Sequence, residues 1–365
     1  MNGFNIDRCV AVVRKKNYFC NRYLYIRCMK ATYRLLLLGA LIFVFTSCRV
    51  SQRYTIPVAE VEPVSVMRFD SLICEYVNTS DTMSREALMM QAGDFWGIYN
   101  FHLLGLSDAP CFYEGLSAFM SDSVVAGIYR DAQLMYIDMD SIEECLASMS
   151  ARYMKLFPSA KKPVFQSHIS ALGLPIVTVD SLISISIDCY LGADYPLYQQ
   201  RYNRYELMAH HPGRLLPDVG EVLLRNAIVD KNESTLLDAM VYEGVVAYLL
   251  SGLLNDNGAA AIMGYTPEQE SWCVENEARI WSRIVEQGHL FAADNITIRK
   301  YIQPAPFTAT LTEDAPGRVG RWVGWRIVQQ YVEKQGLSPW IWLSTKLLLS
   351  KYCVCPIIIL DNYES

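Results

Sequence analysis

The chain has 365 residues, 52% of them hydrophobic, and a formal net charge of −6. That composition excludes a disordered chain and a protein built to neutralise nucleic-acid phosphates, and it supplies material for a large core. The seven Trp and 23 Tyr add amphipathic contact surface.

Residues 1–28 are basic, hold three cysteines and show no amphipathic pattern, and are expected to lie upstream of the true start. From Met29 the pattern is that of a signal peptide. Lys30 and Arg34 form a basic lead, and Leu35 to Phe45 is an apolar run of 11 residues, too short to span a bilayer comfortably. Phe45-Thr46-Ser47-Cys48 then resembles a lipobox, with Phe where Leu is usual. We expect residues 29–47 to be a lipoprotein signal peptide, Cys48 the lipidation site and residues 48–62 a tether. Acyl chains on Cys48 would anchor the protein to a membrane without a spanning helix. No acidic cluster follows Cys48, which favours the periplasmic side.

Beyond the tether, "VSVMRFDSLICEYV" reads as a strand running into a helix, and residues 84–160 as helices in pieces. Asp140 or Ser141 is placed to cap the helix that Phe157-Pro158 closes. "KPVFQSHISAL", "PIVTVDS" and "LISISIDCYLG" are short, rich in Val and Ile and punctuated by Gly and Pro, and read as adjacent strands of a small sheet. The cysteines from Cys74 to Cys273 are scattered, with neither zinc-ligand nor disulfide-framework spacing. His168 stands alone in a strand, and His210-His211 lie in a turn where two consecutive imidazoles cannot share a helix face.

The centre of the chain is "TLLDAMVYEGVVAYLLSGLL", apolar at helical spacing and on most sides, with Tyr242 and Glu243 in its middle. A carboxylate there must be paired, protonated or facing a cleft. Thr266-Pro267 then starts a second helix carrying Glu275 and Glu277, read as continuous to Gly288. Compared with the HExxH helix of zinc proteases, Tyr242-Glu243-Gly244-Val245-Val246 keeps the glutamate and lacks both histidines. Glu277, on the following helix, stands where some such proteases supply a third ligand. Pro316-Gly317-Arg318 opens a last helix with Gly320 and Gly324 four apart, a spacing that permits close helix approach, and Trp322 on its apolar side. Arg318 is the expected partner of Glu243 or Glu277.

Taken together, the lipobox, "LISISIDCYLGADYPLY", "TLLDAMVYEGVVAYLL", "GYTPEQESWCVENEARIW" and "PGRVGRWVGWRIVQQY" resemble the gliding-motility lipoprotein GldB family of Bacteroidetes. That family is related to predicted zinc-dependent proteases. The resemblance implies a mostly helical α+β, zincin-like single domain over residues 63–350, with a small sheet packed on the HExxH-equivalent helix and "LISISID" as the edge strand along a cleft. Residues 351–365 leave the family pattern as an atypical tail. The implied function is a non-catalytic, lipid-anchored envelope lipoprotein, an accessory or binding component of gliding-motility or secretion-related machinery. The alternative is a zincin-like metallopeptidase or a peptide-binding pseudo-protease. The first reading needs no metal and no cofactor, because a helix without its histidines cannot build a tetrahedral zinc site. Its partners are the membrane, through Cys48, and an unidentified envelope protein. Tyr242, Glu243, Glu277, Arg318 and Trp322 are the cleft candidates, with Glu243 structural or cleft-lining and no residue catalytic.

Overall fold

The computed structural model describes residues 54–106, 112–228, 234–256 and 258–335. The expected signal peptide, Cys48 and the 351–365 tail lie outside them. The helices of eight residues or more are named here in chain order. Strand β1 (Val66–Arg68) runs directly into α1 (Phe69–Asn78), and α2 (Thr82–Ala92) follows behind an Asp81 cap. Then come α3 (Phe112–Ser121), α4 (Ser123–Met135) and α5 (Asp140–Leu156). Neither expected side chain caps α5; the Asp138 carboxylate accepts the Asp140 N–H at 2.9 Å, an Asx-type turn just upstream.

The three expected strands are present as β2 (Val164–His168), β3 (Ile176–Val179) and β4 (Leu182–Ser186), and β1 completes a sheet ordered β1-β2-β4-β3. β1, β2 and β4 are mutually parallel, in the register Val66–Phe165 and Phe165–Ile183, while β3 is antiparallel to β4 with Ile176 opposite Ile185. Parallel neighbours need long crossovers, which α1 to α5 provide between β1 and β2. Asp180, at φ +53°, turns the β3–β4 hairpin. β4 is therefore an inner strand, not the expected edge; Ile183 to Ser186 are all buried, the mark of a strand covered on both faces. The edge on that side is β3. The expected packing of the sheet on the 236–254 helix is also corrected: β2 lies on α1, and β3 lies on α6 (Leu215–Ala227), which itself packs against α7 (Leu236–Leu254).

Thr235 and Asp238 form a capping box at the start of α7, and Asn255 ends it in the left-handed conformation. α7 is long and apolar enough to cross a membrane by composition, but it is buried within the protein. Its apolar residues face all ways, so it needs neighbours all round. α8 (Pro267–Glu275) has the expected Thr266 cap. The helix expected to continue breaks at Asn276, whose Nδ2 donates to the Trp272 carbonyl, and α9 (Glu277–Glu286) begins there. α10 (Asn295–Ile302) and α11 (Val319–Gln335) follow.

α11 packs on α7 more extensively than any other helix pair among the described residues. Glycine makes this possible: a Cβ on Gly324 would stand 1.7 Å from the Met240 carbonyl oxygen, and one on Gly244 would stand 2.2 Å from the Gly324 backbone. Gly320, read as part of the same close approach, faces α10 instead, where a Cβ would meet the Tyr301 carbonyl at 2.9 Å. Tyr54 and Ile56, placed in the tether by sequence, are buried; Tyr54 stacks on Tyr248 of α7 at 4.6 Å. Packing thus begins at the first described residue, because two large apolar side chains find a groove on α7 beside Gly252.

Candidate functional site

Glu243 is 5% exposed on α7. It does not meet Arg318 or Glu277. Its Oε2 accepts from Arg225 of α6 at 2.7 Å and lies 3.6 Å from Arg321 of α11. Arg225 also donates to Glu221, one turn before it on α6. Glu221 takes a two-pronged bond from Arg321, at 2.9 and 2.8 Å, and Arg318 approaches it to 4.0 Å. Three helices therefore converge on a cluster of two carboxylates and three guanidiniums, with one positive charge in surplus.

The ionisation of the cluster follows from its contacts. Burial alone would raise the pKa of Glu221, but the Arg321, Arg225 and Arg318 charges overcome it and hold Glu221 well below the carboxylate range. Burial would lower the pKa of Arg225; its bond to Glu243 and the Glu221 charge raise it instead. Arg321, fully buried, is likewise raised against desolvation by Glu221. Arg318 goes the other way. Desolvation, with repulsion from Arg321, brings it down to about 10, and the more distant carboxylates do not compensate.

Arg318 is unusual in two more respects. Its φ of +61° is the left-handed region, which costs a residue other than glycine about 1–2 kcal/mol. Its Nε is buried without a hydrogen-bond partner. The turn leaves little freedom to relax, since a Cβ on the preceding Gly317 would fall 2.1 Å from the Ala305 carbonyl oxygen. The Tyr265 hydroxyl further pins that turn by donating to the Gly317 carbonyl at 2.7 Å.

Arg318, Arg225 and Glu221 form one wall of a cavity of about 610 Å³. Tyr202, Tyr205, Tyr265, Pro304 and Pro306 supply much of the rest, and Pro175 and Ile176 bring the start of β3 to its rim. Three further polar groups of the lining, Arg214, Asp218 and Glu206, are already committed. Arg214 donates to Asp218 at 2.6 Å and to the Ala261 carbonyl, and Tyr190 donates to the other Asp218 oxygen. Glu206 at the rim is taken by the cap of Asn203 and by Tyr205.

Of the five cleft candidates, only Arg318 lines this cavity. Glu243 sits behind its wall. Tyr242 is buried with the Arg225 guanidinium 5.7 Å over its ring, and Trp322 is 1% exposed in the core between helices. Glu277 pairs with Arg326 at 3.4 Å, and Glu275 is exposed at the end of α8, so the structure does not gather Glu243, Glu275 and Glu277 around a cation. Among the described residues no three His, Cys, Asp or Glu side chains form a metal-ligating group. Glu221, Arg225 and Arg321 were missed. The signal for the first two was an i, i+4 Glu–Arg pair on an amphipathic helix; for Arg321 it was a cation inside the apolar run "GRVGRWVGW".

The chemistry open to this arrangement is electrostatic. Two buried carboxylates are held by the guanidiniums of Arg225 and Arg321, and the surplus positive charge, Arg318, lines the cavity. Compared with known families, residues 51–346 match the family model described as gliding motility protein GldB. No curated protein and no solved structure matches.

Proposed function

This chain belongs to the gliding motility protein GldB family, and from that premise we propose that it is a non-catalytic, lipid-anchored envelope protein. It works by holding a partner in gliding-motility or secretion-related machinery. Cys48 carries the anchor, with the folded part on the periplasmic side. The observation that supports the non-catalytic reading is the pairing of Glu243 with Arg225 and Arg321. A general base of the zinc-protease kind must face a metal-bound water that it can deprotonate. Glu243 faces two guanidiniums, which repel a metal cation and hold the carboxylate in place. In this proposal the fold is a zincin-like one whose metal position has been given over to arginine. The support is a glutamate-bearing core helix whose Glu243 pairs with Arg225 of the cavity lining, and an antiparallel edge strand whose first residue, Ile176, reaches that lining.

The test is a cross-linked pull-down from membranes of cells carrying the tagged protein, beside the Cys48→Ala variant. The proposal expects a defined envelope partner in near-stoichiometric yield from wild type and its loss when the anchor is removed. Recovery of the protein alone from intact membranes would count against it.

A further inference from the structure

We propose that the cavity lined by α6 and by the segments leading into α8 and α11 binds a peptide carboxylate, and that Arg318 is the cation that anchors it. The inference rests on the binding role proposed above and names the chemistry of the ligand.

Three separate observations meet at this residue. Its backbone is held in a left-handed conformation that glycine would adopt without strain, so the side chain is kept there at a cost. Its side chain lines the cavity and reaches Glu221 only at 4.0 Å, and its Nε is buried without a hydrogen bond, so the charge is not satisfied within the cluster. The other two guanidiniums of the cluster already satisfy the two carboxylates at 2.7 to 2.9 Å. Arg318 is thus the surplus charge, its side chain half-buried in the cavity wall, where a planar guanidinium can receive a planar anion.

The surroundings select the anion. One surplus positive charge matches one negative charge. Asp218 and Glu221 are already neutralised by Arg214 and by Arg225 and Arg321, while Glu206 on the same wall is held by Asn203 and Tyr205 rather than by a cation and so opposes the second charge of a phosphate. Tyr202, Tyr205, Pro304 and Pro306 offer flat amphipathic surfaces for the residues flanking a carboxylate, as peptide-binding grooves do.

The test uses calorimetric titration of the full mature protein in detergent. The probes are acetyl-Ala-Ala-Phe with a free C-terminus, acetyl-Ala-Glu-Phe-amide with only a side-chain carboxylate, acetyl-Ala-Ala-Phe-amide with none, and inorganic phosphate. Arg318→Gly removes the guanidinium while relieving the left-handed φ, so it should fold with an unchanged or raised melting temperature. At least one carboxylate peptide should bind at least tenfold more tightly than the blocked peptide and than phosphate, and Arg318→Gly should lose at least tenfold for it. The two carboxylate peptides tell a chain terminus from an acidic side chain as the source. Equal binding of the blocked peptide, tighter binding of phosphate, absence of binding by both carboxylate peptides, or full affinity in a folded Arg318→Gly protein overturns the proposal. Cleavage of a probe, followed by mass spectrometry in the same samples, would instead overturn the non-catalytic reading and leave carboxylate binding standing.

Discussion

Replacing Glu243 by leucine tests the cluster as a unit. The substitution keeps an apolar volume on α7 but removes the acceptor 2.7 Å from Arg225 and 3.6 Å from Arg321. Three guanidiniums would then share the single carboxylate of Glu221. Removing one partner of a buried ion pair costs about 3–5 kcal/mol, because the other partner stays buried and charged. Here Glu221 still holds Arg321 with two bonds and Arg225 with two more, so the lower end, about 3 kcal/mol, is expected. Glu243→Gln keeps the shape and one acceptor oxygen and should cost only about 1–2 kcal/mol. Pairing Glu243→Leu with Arg225→Met should return part of the loss, since the orphaned charge leaves with its partner. Urea unfolding at pH 7 reads all three; with a slope near 3 kcal/mol/M the leucine midpoint falls by about 1 M. A leucine variant within about 0.5 kcal/mol of wild type, the range of an ordinary surface change, would refute the cluster's structural role. The acid limb carries a second check. The pKa of Glu221 is depressed in the folded state, so its contribution is full above the unfolded carboxylate value near 4.3 and is lost only as pH falls through the lower folded value.

Gly324→Ala should destabilise by at least about 3 kcal/mol in the same assay, because its Cβ meets backbone that cannot move aside, while Gly97→Ala, with nothing within 4 Å, should stay within about 1 kcal/mol. Burial lowers the pKa of His168 to about 3 against the opposing pull of Asp70. The unfolded chain takes up that proton near pH 6.5, so the His168 contribution is full above 6.5 and falls by about 1.4 kcal/mol per pH unit below it; His168→Asn should flatten the unfolding midpoint between pH 6 and 4. Cys48→Ala should abolish incorporation of labelled fatty acid and release the protein from membranes; unchanged labelling would show that another residue carries the lipid.

Much of the fold was legible because it rests on local chemistry. α7 begins after Thr235 and α8 after Thr266, each behind its capping box, and the Val/Ile-rich runs before and after Gly173 and Asp180 became strands. Sheet order was not legible: "LISISID" alternates like an edge strand, and only the parallel pairing with β2, set by a distant crossover, puts it inside. The break at Asn276 was hidden because Trp272 to Trp281 keep helical spacing across it. In the site, Arg318 was found at the opening of its helix, but its partner was assigned by chemical type alone. Glu221, Arg225 and Arg321 compete for the same place, and which pairs form depends on how α6, α7 and α11 cross, at the Gly244–Gly324 contact, rather than on any one segment.

The most direct test of the central claim is hydrolysis itself. The purified mature protein, with and without added zinc, is incubated with a diverse peptide library, and new termini are read by mass spectrometry beside the Glu243→Gln variant. With Arg225 and Arg321 holding Glu243, the account expects no zinc-dependent cleavage by wild type above the level of the variant. Zinc-dependent cleavage by wild type that disappears in Glu243→Gln would contradict it and make the protein a peptidase.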